Sequence, residues 1–221
     1  MIEYGGQFLK DSVDKQLSIV TDDGQIHITN NELHQDQFEL TESLCSESEL
    51  TFGSCEAGMV KFTVSNIFSG LKDKWMTIKM VLAGNTANPF QIGRYKVCSD
   101  TPEADRTKRD IVAYDALYDV INADVAEWYN TLLPDKDSIT TMKAFRDSFF
   151  GYFGIEQADV RLVNDDMKVE KTVEPEELSG ATVLNCICEI NGCFGHIGRD
   201  GRFHYIYLCL LYTSPSPRDG A

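Results

Sequence analysis

The chain has 221 residues, 43% hydrophobic and 25% charged, with 35 acidic against 20 basic side chains and a net charge of −15. That length and apolar content support one large or two small domains with real cores, which excludes a wholly disordered chain. The acidity argues against binding nucleic acid by phosphate neutralisation and for a solvated surface or a wall that repels polyanions.

The opening "MIEYGGQFLK" has neither the basic n-region nor the apolar h-region of a secretory leader. "KQLSIVTDDGQIHITN" is the clearest local signal: Leu17 and Ile19, then Ile26 and Ile28, alternate with polar neighbours around Asp22-Asp23-Gly24. Asp-Gly suits a tight hairpin turn because glycine tolerates positive φ. "DQFELTESL", "MVKFTVSNIF" and "WMTIKMVLA" follow as short alternating strands, then "GRYKVCSD". Residues 1–97 therefore read as an antiparallel β-barrel-like or sandwich domain.

The period changes after "SDTPEADRTKRD". "IVAYD" reads as a strand and "DALYDVINADVAEWYNTLL" as one helix ended by Pro134. A second helix is expected from about Ser138, with Ile139, Met142, Phe145, Phe149 and Phe153 on one face and Gly154 at its end. "ADVRLVNDDMKVEKTV" suggests a hairpin around Asn164-Asp165-Asp166. "SGATVLNCICEIN" reads as a third helix with Val183, Ile187 and Ile190 on one face and Gly192 as its stop. "HIGRDGRFHYIYL" closes as a second Asp-Gly hairpin. Residues 98–208 are thus expected to form an α+β domain with three helices and β-hairpins.

The longest apolar run, "YIYLCLLY", falls far short of the roughly 20 residues of a membrane-spanning helix, so no membrane insertion is expected. "LLYTSPSPRDGA" then breaks the alternation with a Ser-Pro-Ser-Pro run that no strand continues. It resembles translated sequencing-adapter read-through, so residues 209–221 are read as a non-native tail and the natural protein as longer.

The chemistry on offer is thin. Seven cysteines, an odd number without a C-x-x-C pair, argue against a disulfide framework and for reduced, mostly buried thiols in a cytoplasmic assembly compartment. Cys45 and Cys55 stand among Glu47, Glu49 and Glu56, with His34 the closest imidazole in sequence, but no second ligand pair completes a zinc set. Cys186, Cys188, Cys193 and His196 can be drawn as a metal set, yet helical positions two apart point to nearly opposite sides.

Acid pairs such as Glu156 with Asp159, or Asp165 with Asp166, are expected by chance in so acidic a chain, and Asp165 and Asp166 suit a turn. Asp22, Asp23 and Gly24 lack the spaced oxygens of a calcium loop. Trp75, Trp128, Tyr205 and Tyr207 are candidates for sugar stacking, with core packing favoured. No catalytic, cofactor-binding or metal residue is assigned, and no cofactor is expected.

Three runs taken in order carry a resemblance. They are "FELTESLCSESELTFGSCEAGMVKFTVSN", "GRYKVCSDTPEADRTKRDIVAYDALYDV" and "NDDMKVEKTVEPEELSGATVLNCICEINGCFGHIGRDGRFHYIYL". Together they resemble the N-terminal hub region of tail-tip proteins from phages and prophages of Gram-positive bacteria, the baseplate hub or tail-associated lysin family. The shared pattern is acidic "ES-CSE-EL-FGS-EA", then "I-AYD-L", then "L-G-TVL--ICE--G-F", across residues 1–208.

The resemblance implies a β-barrel domain in a ring that closes the tail tube, usually a homotrimer, and an adjoining α+β domain. It further implies contacts with distal-tail and tail-tube proteins, assembly in the host cytoplasm, and a place at the virion tail tip. Phage DNA would pass through the lumen without specific binding. The expected function is structural, without catalysis in these residues. The rivals are a peptidoglycan hydrolase or endopeptidase and a host-surface carbohydrate-binding module.

Overall fold

The computed structural model describes residues 14–34, 37–45, 51–67, 69–82, 89–104 and 106–207. The opening decapeptide, Glu47, Glu49 and the run from Cys209 onward lie outside the described residues. Among those described, no helix is long and apolar enough to cross a membrane.

The first hairpin forms where the sequence places it. Strands β1 (Lys15–Thr21) and β2 (His27–Thr29) pair antiparallel across a turn in which Gly24 has φ 68°. Asp23 holds that turn by accepting hydrogen bonds from Thr21 and the Gln25 N–H and by pairing with Lys74. Strands β3 (Glu39–Thr41), β4 (Met59–Ser65), β5 (Trp75–Leu82), β6 (Phe90–Pro102) and β7 (Lys108–Tyr114) complete a seven-stranded antiparallel sheet. Its order is β2-β1-β5-β6-β7-β4-β3.

Apart from β3, whose three residues are exposed, the strands each bury one face. Ile19, Val60, Phe62, Val64, Met76, Ile78, Tyr95, Val97, Ile111 and Ala113 make the sheet core. The row is open in its strand order, with β2 and β3 at its ends. The chain leaving β2 nevertheless reaches β4: Leu33 bridges Val64, His34 N–H donates to Thr63 O, and Ser65 N–H donates to Glu32 O.

Strand β6 runs across the expected division at 97/98, and β7 lies inside the sheet between β6 and β4. The residues of the second core begin at Leu117, apart from Cys55, which reaches it from the loop before β4.

The helical part differs from expectation at three places. The single helix foreseen over 115–133 is two, α1 (Leu117–Ile121) and α2 (Ala126–Leu132). The break at 122–125 frees backbone groups that pair with a later segment: Gly180 N–H donates to Ala123 O, and Val125 N–H to Leu178 O. Asp124 accepts from both Ala126 N–H and Leu178 N–H at 3.0 Å, an Asx-type start for α2.

Ile139 belongs to strand β8 (Ile139–Thr141), 56% exposed, rather than to the next helix. Helix α3 (Met142–Phe153) starts after Thr141, whose hydroxyl accepts from Ala144 N–H, and ends at Gly154 with φ 66°. The hairpin expected around Asn164-Asp165-Asp166 is also absent: β9 (Lys168–Glu170) pairs with β8, and the residues before the turn form no strand. A buried ion pair takes up the acid that would have served that turn.

Helix α4 (Gly180–Ile190) buries Val183, Leu184, Ile187 and Cys188 and leaves Ile190 40% exposed. Strands β10 (Phe194–Ile197) and β11 (Phe203–Ile206) form the closing hairpin. The second core gathers Leu117, Val120, Trp128, Phe145, Phe149, Phe150, Leu184, Ile187 and Phe203. The architecture among the described residues is α+β, with four helices and a large antiparallel sheet.

Candidate functional site

Three short segments meet where the sheet joins the helices. The first, residues 51–58, turns at Gly53 with φ 91°. Gly53 N–H donates to Cys193 O at 3.0 Å, and Phe52 lies 5.3 Å from the Phe194 ring. A Cβ on Gly53 would stand 2.7 Å from Asn185 O and 2.8 Å from Glu189 Cβ, so only glycine allows this approach to α4. Cys55 then bridges Gly195 of β10 in parallel fashion.

The second segment is the corner after β7. Asp115 is buried, and each of its oxygens serves the backbone: Gly58 N–H donates to Oδ2 at 2.7 Å and Leu117 N–H to Oδ1 at 2.9 Å. Asp115 N–H donates in return to Gly58 O. The carboxylate therefore ties the loop before β4 to the start of α1. Burial raises its pKa to about 6 against the opposing hydrogen bonds, with Glu42 adding to the rise.

The third segment is the β10–β11 hairpin, where burial and then the neighbouring His204 lower the pKa of half-buried His196. Between these parts lies a cleft of about 240 Å³ bordered by Glu42, Glu56, Asp115, His196, Ile197 and Ile206. A carboxyl with its pKa raised to about 6 and an imidazole lining one cleft have the elements of acid–base chemistry. Both oxygens of that carboxyl are committed to backbone donors, however, and the arrangement fixes a corner.

The sign of the Asp115 effect is definite. A carboxyl whose folded pKa lies above its unfolded value of about 3.8 stabilises the fold fully only below that value, and loses the contribution as pH rises to about 6. The stability of the wild type minus that of Asp115→Asn is expected to fall by about 2–3 kcal/mol between pH 3 and pH 7. Urea titrations of both proteins across that range would show it; a flat difference would rule the effect out.

The residues nominated from sequence divide. Cys55, Cys188 and Cys193 come together in the second core, whereas Cys45 is half-buried in another loop and Cys186 is exposed. On α4, Cys186 is exposed and Cys188 is buried. His34 is at the sheet edge beside Thr63, and among the described residues no group of three or more His, Cys, Asp or Glu is arranged to hold a metal ion.

Glu156 pairs with Arg202 at the surface, Asp166 with Arg161, and Asp159 is exposed. Asp22 pairs with Arg94, whose guanidinium lies 4.4 Å over half-buried Trp75. Trp128 is in the core and donates to Ser148 Oγ at 3.1 Å; Tyr205 is half-buried with its hydroxyl donating to Gln157 Oε1; Tyr207 is 41% exposed.

Asp115 and Arg146 were not singled out from sequence. Asp115 had a signal, since an Asp between a strand pattern and a helix pattern is a cap candidate. Arg146 had none: a charge on an apolar helix face shows its partner only in three dimensions.

This combination, a seven-stranded antiparallel sheet followed by a helical unit and a closing hairpin, is a fold already seen in solved structures. The 43 kDa tail protein of prophage MuSo2 from Shewanella oneidensis matches with TM-score 0.57 and 11% identity, over 88% of this chain and 56% of that one. A tail protein from Neisseria meningitidis MC58 matches with TM-score 0.55 and 11% identity, over 86% and 50%. Prophage tail protein gp18 from Listeria monocytogenes EGD-e matches with TM-score 0.52 and 13% identity, over 87% and 50%. At such identities the likeness is one of fold, and the chain spans about half the length of these proteins. No family model and no curated protein matches the chain.

Proposed function

We propose that the chain is a structural part of a phage tail, the N-terminal hub region of a tail-tip protein. In this reading the seven-stranded sheet closes as a barrel, three copies form a ring that closes the tail tube, and the ring docks on distal-tail and tail-tube proteins. The ring connects the tail tube to the host-cell-wall-directed regions of the tail tip. The ring is made and assembled in the host cytoplasm and resides at the virion tail tip.

The observation that carries the proposal is one fold running through 86–88% of the chain in common with three proteins described as tail proteins. The hydrogen bonds that connect residues 32–34 with β4 supply the kind of link a barrel closure needs. The net charge of −15 suits a lumen wall that DNA passes without sticking.

Antibody against the chain, applied to purified particles and imaged by electron microscopy, should label the tail tip. Label confined to the capsid, or none on accessible tips, would overturn the reading. The hydrolase alternative draws on the cleft beside Asp115 and His196. Incubation with purified cell walls should leave turbidity unchanged, and a turbidity loss that Asp115→Asn abolishes would favour the enzyme.

A further inference from the structure

Two thiols of the second core lie close together. Cys55 Sγ lies 3.4 Å from Cys188 Sγ, in the buried core, between residues 133 apart in the chain. Cys193 completes the group, its Sγ donating to Cys188 O at 3.4 Å. Glycines permit the close approach of the segments around this pair. A Cβ on Gly195 would stand 2.7 Å from Cys55 Sγ and 2.2 Å from the Phe203 ring, and Gly53 brings the loop equally close to α4.

We propose that Cys55 and Cys188 form a redox staple, two thiols during folding in a reducing cytoplasm and a disulfide once the particle enters an oxidising medium. The timing rests on the virion reading; the bond itself rests on the geometry. A disulfide of about 2.05 Å needs the sulfurs, now 3.4 Å apart, to approach by roughly 1.4 Å. It would tie the loop at residues 51–58, which leads into the sheet, to helix α4 of the second core.

The step balances with a small-molecule disulfide as oxidant. One cysteine thiolate attacks the oxidant, breaking its S–S bond and expelling one small thiol. The second cysteine thiolate attacks the mixed disulfide, forming the Cys55–Cys188 bond and expelling the other. The two cysteine protons end on the departing thiols, and the oxidant takes up two electrons.

Contacts from Cys193 and Cys55, together with burial, hold the Cys188 thiol protonated well above its ordinary value. The pair therefore reacts when the junction opens, faster at higher pH, while exposed Cys98 and Cys186 react first.

The test uses the full chain held with oxidised glutathione at pH 8, quenched by alkylation, digested without reduction and mapped by mass spectrometry. A Cys55–Cys188 linked peptide pair is expected. In urea the linked protein should show an unfolding equilibrium lowered on the order of a hundredfold, reversed by reductant and absent in Cys55→Ala. Free or glutathione-bearing Cys55 and Cys188 after exhaustive oxidation, or linkage confined to Cys188 with Cys193, would overturn the staple. The mapping needs no variant, so a misfolded Cys55→Ala leaves the test intact. A chain that links in this way yet is absent from particles sinks the virion reading alone; particles whose pair stays reduced in oxidising buffer sink the staple alone.

Discussion

Replacing Asp165 with alanine is expected to cost the fold about 3–5 kcal/mol, since it strands a buried guanidinium. Arg146 projects from α3 and Asp165 from the following loop, with side chains only 3% and 2% exposed. Their fork is two-pronged, Nε to Oδ1 at 2.8 Å and Nη2 to Oδ2 at 2.9 Å. Arg146 also donates to Gln157 Oε1 at 2.7 Å and Val160 O at 3.1 Å, and lies 5.5 Å over the Tyr205 ring.

Burial works against both charges, and the fork more than offsets it. Arg146 is held above its ordinary pKa and Asp165 below the usual carboxylate range, Leu162 N–H adding a bond to the latter. A depressed carboxyl stabilises the fold above its unfolded pKa and loses that contribution as pH falls. The gap between wild type and Asp165→Ala in urea midpoints should therefore be full at pH 7 and narrow below about pH 4.

The double variant Arg146→Met with Asp165→Leu is expected to recover part of the loss, because an apolar pair of similar volume leaves no buried charge, while the Leu162 N–H loses its acceptor. A single variant as stable as the wild type would show that the network is not buried in solution.

Local order explains which parts of this structure can be read from the chain. Strands β1, β2, β4 and β5 each alternate over a few residues against one buried face, and Gly24, Gly154 and Gly192 sit at positive φ where the turn and helix-end signals point. The break between α1 and α2 is invisible locally, because its cause is hydrogen bonding to residues 178–180 some 50 positions on. Asp165 reads as a turn residue because its composition is right for one; its partner Arg146 is 19 residues away on a helix. Ile139 fits the helical spacing of the next residues but is drawn into β8 by pairing with Glu170.

The junction is legible in a different sense. "FGS-EA" contributes Gly53 and Glu56, "I-AYD-L" contributes Asp115 and Leu117, and "L-G-TVL--ICE--G-F" contributes Gly180, Cys188 and Phe194. Each run looks like ordinary scaffold alone. Brought together, their glycines permit close approach and their acid caps the corner, which no spacing rule within one run conveys.

Gly180 offers the sharpest check of that close approach. It opens α4, and a Cβ there would stand 2.1 Å from Val120 O and 3.2 Å from Val120 C, backbone atoms of α1 that cannot rotate away. Alanine must therefore push α4 off α1 by roughly 1 Å, stretching the Gly180 N–H bond to Ala123 O from its 2.8 Å. The helix-propensity gain of about 0.5–1 kcal/mol from Gly to Ala does not cover the overpacking, so Gly180→Ala should lose about 2–3 kcal/mol. Gly151, inside α3, has nothing within 4 Å of a Cβ. There the same substitution should gain about 0.5–1 kcal/mol, because only backbone entropy changes. Thermal melts of the two variants should thus move in opposite directions from the wild type. Equal shifts would mean that α4 and α1 are not packed at this distance, and the α1–α4 contact that closes the second core would have to be redrawn.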